Sequence, residues 1–64
     1  MNEKLRIAIR QRARHAVTKD DLVQAVFDGY LAEKIELRSV SLEDMKVALV
    51  WAASAARARL RAAA

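Results

Sequence analysis

The sequence predicts an all-α fold, a small three-helix chain completed by dimerisation, and three observations lead there. The composition holds no proline and one glycine, Gly29, and is rich in alanine, arginine and leucine, all of which favours helix. Two stretches open with the same N-capping pattern. Behind each of them apolar residues recur at helical spacing.

The 64 residues allow one small helical domain, 1–64. A fold of this size stabilises itself only marginally, and commonly needs a metal, disulfides, very regular helix packing or a second subunit. There is no cysteine, and His15 is the only histidine, so neither a disulfide nor a zinc ligand set is expected. No metal and no cofactor is assigned. Regular packing and self-association are left.

The first element is the least clear. Leu5, Ile9, Ala13 and Ala16 share a face at helical period, and Asn2 is placed to cap the start. At period two, Leu5, Ile7 and Ile9 alternate with Lys4, Arg6 and Arg10, which is a strand pattern. Helix is preferred for the propensity of residues 10–16. A ribbon made from this segment and Ile35 to Val40 is the alternative.

The second element starts at Thr18, with Asp21 three residues on and Val17 placed to staple onto Leu22. The third starts at Ser41, with Asp44 three residues on and the pair Val40 and Met45 as its staple. Each is an N-cap hydroxyl with an acidic residue at N3. Helices are placed at about 19–35 and 42–62, forming a hairpin to which the N-terminal helix adds.

Apolar surface is in surplus. Leu22, Val23, Val26, Phe27, Tyr30 and Leu31 sweep about half of the middle helix at about 100° per residue. In the last helix, Leu42, Met45, Leu49, Ala52, Ala56 and Leu60 follow the spacing of a packing seam. Val47, Trp51, Ala55 and Ala58 make a second stripe, and no charge lies between Lys46 and Arg57. Such a helix wants protein on both sides. Val47, Trp51 and Ala55 are therefore assigned to a homodimer interface, with Met45, Leu49, Phe27 and Tyr30 bridging core and seam.

The charge of +4 is segregated. Residues 1–19 carry Lys4, Arg6, Arg10, Arg12, Arg14 and Lys19 against Glu3, the middle is acidic, and the end adds Arg57, Arg59 and Arg61. Helix dipoles account for Asp20, Asp21, Glu43 and Asp44 in first turns and for the three C-terminal arginines in a last turn. They do not account for the N-terminal cluster. Arg6, Arg10, Arg12 and Arg14 are the candidate contacts for an anion or a nucleic acid, and no aromatic residue is interleaved for stacking on bases.

A helix-turn-helix is disfavoured, because its reading helix would open with Leu42, Glu43 and Asp44, where base contacts need basic or amide side chains. A ribbon-helix-helix would read DNA with an N-terminal strand, although residues 11–17 make a long connection for it.

No catalytic constellation is legible. Thr18 and Ser41 are explained as caps, His15 is a lone histidine among arginines, and the acidic pairs are sequence neighbours. Gly29 alone makes no phosphate loop. The longest uncharged run, 47–56, is about half of a membrane span, and no signal peptide is recognised, so a cytoplasmic protein with no membrane partner is expected.

The function expected is that of a small non-enzymatic regulatory or adaptor protein, an inhibitor for example. It self-associates through its C-terminal helix and binds and modulates a second protein. A small basic DNA-binding transcriptional regulator using the N-terminal arginines is the alternative.

Overall fold

The computed structural model describes residues 2–63, with side chains to 62. Three α-helices follow one another, α1 (Glu3–Ala13), α2 (Lys19–Ala32) and α3 (Leu42–Ala63), with a short 3-10 turn at Leu37–Ser39 between the last two. The all-α, three-helix expectation holds, and the described residues contain no strand. The N-terminal segment is helix, which removes the ribbon and with it the ribbon-helix-helix form of DNA reading.

Helix α1 begins where Asn2 Oδ1 accepts the Leu5 backbone N–H at 3.2 Å, satisfying one of the donors that a helix start leaves free. Leu5, Ala8, Ile9 and Ala13 point into the core. Ile7, the residue on which the two periodicities disagree, is 47% exposed, as the helical reading requires. Propensity and one polar cap outweigh the alternation.

Helix α2 opens with a complete capping box. Thr18 Oγ1 accepts from the Asp21 N–H at 3.2 Å, and Asp21 Oδ2 accepts from the N–H groups of Thr18 at 3.1 Å and Val17 at 2.9 Å. The expected staple does not form there, since Val17 stands 82% exposed. At α3, Ser41 Oγ accepts from the Asp44 N–H at 3.1 Å, and Val40 and Met45 both pack on the core.

Helix α2 stops at Ala32, short of the expected 35. Lys34 turns left-handed (φ 58°), its N–H bonds back to Leu31 O at 3.0 Å, and the Ile35 N–H bonds to Tyr30 O at 2.9 Å. These two bonds make a Schellman motif, which caps carbonyls that the helix end would leave unpaired. Ile35 then packs on the core.

The helices form an up-down-up bundle. The N-cap Asn2 and Leu5 of α1 lie with Asp44 and Trp51 of α3 at one end, and the C-cap Arg14 lies with Arg59 and Ala62 towards the other, so α1 and α3 run parallel. Helix α1 packs closely on both neighbours, and α2 and α3 touch each other least. Close approach is made by small residues. Gly29 of α2 sits where a Cβ would lie 3.2 Å from Ile9 Cα and 3.3 Å from Ile9 N, and α3 presents Ala48, Ala52 and Ala55 to the core.

The core face of α3 differs from the expected seam. Met45, Leu49 and Ala52 belong to it, but Leu42 is 71% exposed and Leu60 is exposed as well, while Ala48 and Ala55 are buried. At about 100° per residue the buried face is rotated by roughly 60° from the expected one. The pattern of large residues misplaced it because α1 needs alanines against it, and the leucines fill the flank.

Candidate functional site: an apolar groove and an arginine groove on either side of helix α3

Rotation of α3 decides which residues are left for a partner. Of the three expected interface residues, Ala55 is 4% exposed and belongs to the chain's own core, beside α1. Trp51 is half-buried and packs on the same core, and its carbonyl accepts a long hydrogen bond, 3.5 Å, from Arg10 Nη1. Val47 is half-buried next to it. The bridging residues fall inward too: Tyr30 is buried, and Phe27, Met45 and Leu49 are half-buried against the core. Burial raises the Tyr30 hydroxyl above its ordinary range, and the Asp44 carboxylate adds to this.

Apolar surface is open on the α2 flank of α3 instead. Leu22 and Val23 of α2 face Leu49, Val50 and Ala53 of α3 across a shallow groove of about 310 Å3, rimmed by Lys19 and Arg57. Val50 is 65% exposed. Leu42 and Leu60 extend the same side of α3 beyond the groove at both ends, both exposed. Helices α2 and α3 touch each other least of the three pairs, which leaves this flank without a cover.

The N-terminal arginines separate into two groups. Arg6, Arg10 and Arg14 line one side of an open groove of about 730 Å3 between α1 and α3. Arg12 lies elsewhere: its Nη1 bonds to Ala8 O at 3.0 Å, and it neighbours His15, Asp21 and Asp28. Helix α3 contributes a fourth arginine, Arg59, to the groove. Helix-dipole placement had been reason enough for Arg59 in the sequence. Its four-residue spacing from Ala55, the alanine that proves to be buried, is the signal that would have turned it towards α1.

The groups able to do chemistry are dispersed. Thr18 and Ser41 hold caps, Ser39 Oγ donates to Glu36 O at 2.7 Å, and His15 and Ser54 are exposed. Among the described residues no three of histidine, aspartate and glutamate come together as metal ligands, and no helix is long and apolar enough to cross a membrane.

Compared with known protein families, with curated proteins and with solved structures, the chain matches none.

Proposed function

We propose that the protein is a small non-enzymatic regulator that pairs with a second copy of itself and acts by occupying a surface of another protein. One observation carries this reading, the uncovered apolar flank of α2 and α3 formed by Leu22, Val23, Leu49, Val50 and Ala53, with Leu42 exposed beyond it. Contiguous apolar surface of this kind on a small chain marks an interface, and a fold of this length gains most from a second subunit. The contact surface moves from the Val47–Trp51–Ala55 stripe to this flank, because Trp51 and Ala55 already serve the chain's own core.

Pairing of two α3 helices along this flank is isologous, so each copy offers and receives the same groove. Ala53 at its middle permits close approach, and Lys19 and Arg57 at its rim keep two basic edges from closing out of register. Regulation then follows from geometry. With no catalytic group gathered, the effect on a partner comes from blocking or bridging its surface.

Light scattering of the full chain at micromolar concentration tests the pairing. The expected mass is twice the monomer's 7.2 kDa, and Val50→Glu, which alters a side chain exposed in the monomer, is expected to halve it with the helical circular dichroism unchanged. A monomeric wild-type chain, or a Val50→Glu dimer, sinks the assignment.

A further inference from the structure

The arginine groove lies on the flank of α3 opposite the apolar one, and its composition is unusual in a specific way. Four guanidinium groups, from Arg6, Arg10, Arg14 and Arg59, surround it, and no carboxylate lines it. Outside it, Glu3 pairs with Arg6 in an exposed ion pair one turn away. Such pairs are weak and exchange readily. Arg10, Arg14 and Arg59 have no salt-bridge partner among the described residues.

Like charges four residues apart on one helix repel each other slightly, and bringing a fourth from α3 to the same groove adds to this. Arg59 carries the second sign. Its Nε is shielded from solvent and makes no hydrogen bond among the described residues. A buried donor left without an acceptor is unfavourable. An anion in the groove would reduce the repulsion among the four guanidinium groups.

We propose that this groove binds the phosphate backbone of a nucleic acid. Arg6, Arg10 and Arg14 succeed one another at about 6 Å along α1, which presents a row of forked donors to a repeating anion. Guanidinium forks match phosphate oxygens in pairs. Gln11 adds a neutral donor, and Ile7, Ala55, Ala58 and Ala62 make up the rest of the lining. No aromatic residue lines the groove, so bases have nothing to stack on. Binding is to the backbone, independent of base sequence and dependent on salt.

The test is fluorescence anisotropy of a labelled mixed-sequence DNA duplex titrated with the full chain at low and moderate salt. Neutralising three to four phosphates predicts a loss of affinity of roughly 40- to 150-fold between 50 and 200 mM salt. Arg6→Gln with Arg14→Gln, both at exposed positions, is expected to weaken binding at least tenfold without a change in thermal stability. Arg59→Gln is expected to weaken it several-fold. Arg12→Gln, outside the groove, is expected to leave it within twofold. Absence of DNA binding at 50 mM salt overturns the proposal. Equal losses from Arg12→Gln and the groove variants overturn it as well, since they mean diffuse attraction to a basic protein. Labelled polyglutamate that binds the chain and is weakened by the groove variants, while the duplex does not bind, reassigns the site to an acidic polypeptide. Failure of the Val50→Glu experiment touches none of these outcomes, because that residue lies on the other flank of α3.

Discussion

Lys34 has a positive φ of 58°, a backbone state that disfavours an L side chain by about 1–2 kcal/mol. It is tolerated because the Schellman bonds at Leu31 and Tyr30 and the burial of Ile35 hold the helix end in place. Lys34→Gly is expected to stabilise the fold by about 0.5–1 kcal/mol after the entropy of glycine is set against the relieved strain, raising the thermal midpoint by several degrees. A lower midpoint would mean that the Lys34 side chain contributes more than its backbone state removes. Asp21 acts in the opposite sense. The N–H groups of Val17 and Thr18 hold its carboxyl below the ordinary value of 3.8. A depressed pKa in the folded state means that the ionised form adds stability above that ordinary value, and the contribution is lost as pH falls through the depressed one. Thermal melts taken downward from pH 4 are expected to show this loss, and Asp21→Asn to flatten it. A variant that melts with the same acid slope as the parent places the acid sensitivity elsewhere.

Between elements, the crossing of α1 and α2 at Gly29 and Ile9 is the tightest constraint. Alanine is a better helix former than glycine by about 1 kcal/mol, so propensity alone favours Gly29→Ala. A Cβ at that position meets the backbone of Ile9 at 3.2–3.3 Å, and Ile9 is fully buried, so it gives way only by displacing its core neighbours. Overpacking of this kind costs about 1–3 kcal/mol. The expected result in urea denaturation is a net destabilisation, and a more stable Gly29→Ala variant would show that α1 shifts freely. In α3 the same reasoning separates Trp51 from Val50. Trp51→Ala removes a half-buried ring from the core and is expected to lower stability by about 2 kcal/mol, less than the full-burial range, at unchanged solution mass. Val50→Glu should do the reverse.

At the scale of the whole molecule, α3 divides two surfaces of different chemistry, one apolar beside α2 and one lined by arginine beside α1. A protein paired through the first would present its arginine grooves outward, one per copy. Much of this was legible in the chain itself. Capping hydroxyls with acids at N3, the lack of proline and the helical spacing of Leu5, Ile9 and Ala13 sufficed for three helices, because those signals act through bonds within a turn or two. The cluster Arg6, Arg10 and Arg14 was legible for the same reason, being set by one helix's own period. Arg59 and Arg12 were not, and neither was the core face of α3. Val47, Trp51 and Ala55 read as surplus because alanine carries too little side chain to mark a face, and the long leucines weigh most in any periodic pattern. The sequence by itself determines where helices begin and that this chain has more apolar surface than one bundle covers. Which way α3 turns depends on the fit of its alanines against α1, a contact between residues some 40 positions apart, as with Arg10 and Trp51. That fit is a property of packing density, to which local periodicity is blind.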